Sequence, residues 1–91
     1  MSADIYTHLR SISIPGVFSF DVYAVKPGGV DPKHHHNFEI VYVVAGNSTT
    51  HKRHHLYAYP KGTIHEIRND SKDTLVLACL FIPSEGKTVY V

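Results

Sequence analysis

The chain has one cysteine, no tryptophan and almost no net charge: nine Lys and Arg stand against eight Asp and Glu, which leaves +1 with neutral histidines. A single cysteine excludes an intramolecular disulfide. Cys79 lies inside "TLVLACLFI", where a cysteine serves as a small buried hydrophobe rather than a reactive thiol. The near-zero charge gives no electrostatic ground for a nucleic-acid partner or an anionic membrane surface. No apolar run approaches the roughly 20 residues that a membrane-spanning helix needs. The opening "MSADIYTHLRSISIPG" lacks the basic start and unbroken apolar stretch of a secretory leader, so a cytoplasmic protein is the expectation. Helical periodicity is missing too, which excludes a helix-turn-helix reader of DNA.

The chain does have regular punctuation by glycine and proline, at Pro15-Gly16, Pro27-Gly28-Gly29, Pro32, Gly46, Pro60 with Gly62, Pro83 and Gly86. Short pieces with a two-residue period or continuous apolar character lie between these marks. "VFSFDVYAV" places Phe18, Phe20, Val22 and Ala24 on one face and Ser19 and Asp21 on the other. "EIVYVVA" and "TLVLACLFI" are apolar on both parities, as strands covered on both faces are. "HLYAY" and "TIHEIRN" continue the pattern, which amounts to about six or seven short strands along the chain, and "PSEGKTVYV" is either a last strand or a loose tail. This pattern predicts an all-β sandwich or small barrel. At 91 residues it is expected to be one domain spanning 1–91, with no linker or repeat. A chain this short buries only about 60 to 65% of its unfolded surface. Covering both faces of "TLVLACLFI" therefore argues for a homodimer with a partner subunit against one sheet face.

Eight histidines are the strongest compositional feature. In "KHHHNFE" an extended chain points His34 and His36 to one side and His35 to the other. Two imidazoles so placed can converge on one ion. Glu39 joins them only if a bulge or turn falls near Asn37. His65 in "YPKGTIHEIRN" is the fourth candidate, carried inward after the tight "PKG" turn. Asn69 is read as stabilising a turn through its side chain, and Gly46 and Gly62 as backbone requirements at tight turns. His51, His54 and His55 in "THKRHH" are read as a solvated loop because Lys52 and Arg53 lie among them. Tyr42, Tyr57 and Tyr59 are candidates to bring hydroxyl groups toward a cavity.

These stretches resemble the cupins, whose first motif has the form G-x5-H-x-H-x3or4-E-x6-G and whose second has the form P-x-G-x2-H-x3-N. "PKGTIHEIRN" fits the second at Pro60, Gly62, His65 and Asn69, and Gly28, His34, His36, Glu39 and Gly46 fit the first. The resemblance covers about residues 16–83 and implies a small, jelly-roll-like cupin β-barrel. Two features depart from the pattern. Only Asn37 and Phe38 separate His36 from Glu39, a shorter spacer than usual, and the alternative register Lys33-x-His35-x3-Glu39 replaces the first histidine with lysine. The stretch between the motifs, "NSTTHKRHHLYAY", is also short, so the barrel is shortened there and one side is open or completed by a partner.

The resemblance implies a metal held by His34, His36, Glu39 and His65, with His35 as the substitute if the register shifts. Three imidazoles and one carboxylate suit one divalent transition ion of Mn, Fe, Ni, Cu or Zn. The function this implies is oxygenase, isomerase or lyase chemistry on a small polar molecule, with the ion as Lewis acid and template. No separate acid and base pair stands out, so no catalytic residue is assigned. The alternative is a non-enzymatic module that binds or senses a sugar-like small molecule.

Overall fold

The computed structural model describes residues 6–84 and 86–91. Among these, eight strands form: β1 (Tyr6–Ile14), β2 (Phe18–Val25), β3 (Val30–His35), β4 (Phe38–Ala45), β5 (Leu56–Tyr59), β6 (His65–Arg68), β7 (Leu75–Ile82) and β8 (Val89–Tyr90). They pair into a five-stranded sheet of order β1-β2-β7-β4-β5 and a three-stranded sheet of order β6-β3-β8. Every pairing is antiparallel. No helix among the described residues is long and apolar enough to cross a membrane.

Two strands extend the sequence expectation. β1 is exposed along almost its whole length and joins the sheet edge through backbone pairing with β2, so its side chains carry little hydrophobic signal. β8 settles "PSEGKTVYV" as containing a last strand, pairing with His34 and His35 of β3.

The core lies between the sheets and consists of Tyr23, Val25, Val41, Val43, Ile67, Leu75, Leu77, Cys79 and Phe81. Cys79 is buried there, as its apolar neighbours require. Register makes this interior two-ended. Val25 pairs with Leu75, and Tyr23, Leu77 and Val43 lie level with one another at the apolar end. Ser19, Phe81, Glu39 and Tyr59 line up across four strands at the other end, where the interior turns polar.

The split of β2 into two faces holds, but the buried face is the one with Ser19 and Asp21. Phe18, Phe20, Val22 and Ala24 turn outward, as do Tyr42 and Val44 of β4 and Ile82 of β7. The large sheet thus carries an apolar outer face.

Turns at the loop ends fix this register. Gly46 takes φ +83°, and a Cβ there would stand 2.5 Å from the Thr74 carbonyl oxygen and 2.8 Å from Leu75 Cα. Only glycine fits both the backbone and the space. Asn69 is fully buried: its Nδ2 donates to the Val25 and Asp73 carbonyls while its Oδ1 accepts from the Ser71 backbone N–H and hydroxyl. The expected turn role is therefore also a tie between the turn after β6 and the end of β2.

Candidate metal centre

β3 brings His34 inward directly opposite His65 of β6. A register shift between Asp31 and His34 lets both of these residues, three apart, face the interior. The chain then bends at His36–Asn37 before β4 starts, so His36 and Glu39, again three apart, also share the interior. The turn near Asn37 that the short spacer required is present. His35 pairs with Val89 and lies outside the cluster, and Lys33 is exposed, so the alternative register does not form the interior group.

The nitrogen ligand atoms of His34, His36 and His65 all lie within 4.8 Å of one another, and all three residues are buried. Their rings pack at centroid distances of 4.3 Å for His34 and His65, 4.7 Å for His36 and His65, and 5.3 Å for His34 and His36. Glu39 adjoins two of the three: its Oε1 is 3.2 Å from His36 Nε2 and 3.5 Å from His65 Nε2.

Backbone carbonyls set the tautomers. His34 Nδ1 lies 2.5 Å from the Pro32 carbonyl, His36 Nδ1 is 2.8 Å from that of Asn37, and His65 Nδ1 is 2.9 Å from that of Thr63. A carbonyl oxygen only accepts, so each Nδ1 carries the proton and donates it. In the neutral ring, Nε2 is then a bare lone pair. This is how metal-binding histidines are held: the second nitrogen is fixed by an outer hydrogen bond.

Lone pairs aimed at a carboxylate repel it unless a cation lies between them. The buried Glu39 Oε1 and His65 Nε2 have no hydrogen-bond partner. Burial, the largest single influence on Glu39, pushes its carboxyl up, yet His36 and His65 together outweigh it and bring it down to about 2. A cation between these groups would supply the positive charge that rings neutral at Nε2 do not. Burial also drives the His34 imidazole below its ordinary value, keeping it neutral and available as a ligand. The residues present therefore fit a divalent ion in donor chemistry, burial and tautomer.

Two flanking groups complete the polar end. Asp31 is buried and accepts 2.8 Å hydrogen bonds from the Tyr6 and Tyr90 hydroxyls, and its Oδ2 is 3.6 Å from His34 Nε2. Sequence spacing carries no sign of this group, since Tyr6 and Tyr90 come from opposite ends of the chain. On the other flank, Tyr59 stacks on His65 at 4.0 Å with ring planes 5° apart.

The Tyr59 hydroxyl is 3.0 Å from His51 Nε2, and His51 is 1% exposed. The expectation of a solvated His51 is therefore corrected: Ser48, Thr50, Tyr57 and Tyr59 enclose it, while His54 and His55 stay exposed as expected. Of the three candidate tyrosines, Tyr59 reaches the cluster, Tyr57 packs on the core, and Tyr42 turns outward beside His54.

No family model and no curated protein matches the chain. Solved structures do. A Klebsiella pneumoniae protein with a double-stranded β-helix domain superposes with a TM-score of 0.79 at 13% identity, over 100% of this chain and 83% of that one. A cupin domain from Bordetella pertussis gives 0.65 at 17% identity, over 90% and 97%. The polyketide cyclase RemF of Streptomyces resistomycificus gives 0.76 at 20% identity, over 94% and 70%. Two antiparallel sheets enclose a polar end with three clustered histidines in a small all-β barrel. The chain adopts the cupin fold, the double-stranded β-helix.

Proposed function

We propose that this protein is a small metal-binding cupin that holds one divalent transition ion on His34, His36, His65 and Glu39 and acts on a small polar molecule. One observation carries the reading: three buried imidazoles with Nδ1 committed to backbone carbonyls bring ligand nitrogens within 4.8 Å of one another, beside a buried carboxylate oxygen that no proton donor satisfies. Mn²⁺, Fe²⁺, Ni²⁺, Cu²⁺ and Zn²⁺ all suit such a donor set. The ion, when bound, supplies a Lewis acid with coordination positions left for substrate. Asp31, held by Tyr6 and Tyr90, keeps a second negative charge beside His34, and Tyr59 fixes the plane of the His65 ring. That RemF, a cyclase of the same fold, is an enzyme supports an enzymatic reading.

The test is the metal content of tag-free protein purified without added metal, measured by elemental mass spectrometry beside His65→Ala. About one ion per chain, lost in the variant, is the expected result. Protein that carries no metal and takes none up on reconstitution overturns the metalloprotein reading and leaves a ligand-binding module.

A further inference from the structure

A second cavity, of about 380 Å³, opens on the inner face of the β1–β2 hairpin, and none of the metal-centre residues lines it. Tyr23 borders it and packs on Tyr6 at 5.2 Å, so these two rings stand between the cavity and Asp31. We infer that this cavity is a binding site for a neutral polyhydroxylated molecule, such as a polyol or monosaccharide, with Asp21 as its central acceptor.

Asp21 is 3% exposed, and its Oδ1 already takes two contacts, from the Ser11 hydroxyl at 2.7 Å and from His8 Nε2 at 2.8 Å. Among the described residues none bonds its Oδ2, although the residue lines the cavity. This oxygen is not closed off from solvent, so a ligand hydroxyl can take the place of water on it.

The remaining walls match a hydroxyl-bearing ligand. The Ser13 hydroxyl has no hydrogen-bond partner among the described residues, and the Ser84 hydroxyl accepts from the Gly16 N–H and keeps its own proton to donate. Donors and acceptors are thus mixed, as a hydroxyl, which is both, requires. His8, half-exposed, is stacked on Tyr23 at 4.7 Å and adds an aromatic surface for the C–H face of a ring or chain. No lysine or arginine lines the cavity, and its acidic group repels anions. The volume falls within the roughly 300 to 1,000 Å³ of small-molecule clefts.

The experiment is an amide NMR titration of the ¹⁵N-labelled full chain with myo-inositol and with D-glucose, using D-glucuronate as the anionic counterpart. Expected are saturable shifts at Ser11, Ser13, Asp21 and Ser84 with at least one neutral probe, in the millimolar range, with glucuronate weaker by about tenfold or more. Asp21→Asn is expected to weaken the neutral probe by about tenfold, the effect of losing a charge-assisted hydrogen bond. Ser13→Val, at an exposed position that does not threaten folding, decides the matter if Asp21→Asn fails to fold: it too must weaken binding. Absence of shifts with both neutral probes, shifts confined to the His65 region, or equal binding by the folded variants would each overturn the proposal. Since none of these readouts involves the metal, the outcome is independent of the metal content measured above.

Discussion

A neutral imidazole buried as fully as His51 carries a pH dependence of known sign. The Thr50 hydroxyl donates to the Arg68 carbonyl, so His51 Nδ1 donates to Thr50 Oγ1 and its Nε2 accepts the Tyr59 O–H. Burial lowers this imidazole to about 4 from its ordinary 6.5. The unfolded chain therefore binds a proton as pH falls through 6.5 while the folded chain resists until about 4. Stability is full above that window and declines through it, by roughly 3 kcal/mol for this group. Burial of His34 acts in the same direction. Urea denaturation in chelator at about pH 7 and about pH 4.5 is expected to show the decline, and His51→Gln, which has no charge to gain, is expected to reduce it. An unchanged slope in His51→Gln would show that the burial of this ring is not its cause. That His34, His36 and His65 would share the interior was legible from strand parity, the tight turn and the resemblance to the cupin motifs. His51 was not: Lys52 and Arg53 beside it signal solvent, whereas its burial comes from Tyr57 and Tyr59 across the loop.

At the scale of elements, two irregularities in β3 and the following turn keep two pairs of polar groups in the interior, Asp31 with His34 and His36 with Glu39, each three residues apart, which a regular strand would split between its faces. Pro32 gave a local hint of the first, since proline cannot donate to a ladder. The glycine turns can be tested by comparison. Gly46→Ala combines the left-handed φ with a Cβ against Thr74 and Leu75 backbone, and is expected to cost more than about 2 kcal/mol. Gly62→Ala has φ +84° and nothing within 4 Å of the added atom, so its cost is expected near 1 kcal/mol. Chemical denaturation of the two variants checks the order; equal losses would mean that the close approach at Gly46 relaxes. The central strands were legible from their apolar runs. The choice of buried face on β2 was not, because burial of Asp21 depends on His8 and Ser11 of the weakly patterned β1.

For the whole molecule, the outward apolar parity of the large sheet matters most. Phe20, Tyr42, Val44 and Ile82 lie on that face with Ile12 and Leu56 toward its edges, the last two 64% and 68% exposed, and the outward residues of β2, β4 and β7 carry no charge. An uncharged sheet face can pair with its own copy about a two-fold axis, and we propose that the protein is a homodimer through it. Sedimentation velocity is expected to give a dimer, and Leu80→Glu on β7, the middle strand of the sheet, a monomer; a monomeric parent chain would reject the interface. At the centre of the molecule stands the proposed cation on the three histidines and Glu39. Side-chain ¹⁵N NMR of chelator-treated protein titrated with Zn²⁺ tests it most directly. The expected result is an Nδ1–H tautomer for His34, His36 and His65, with their Nε2 signals moving together and saturating at about one Zn²⁺ per chain. Nε2–H tautomers in these rings, or Nε2 signals unmoved by Zn²⁺, would contradict it.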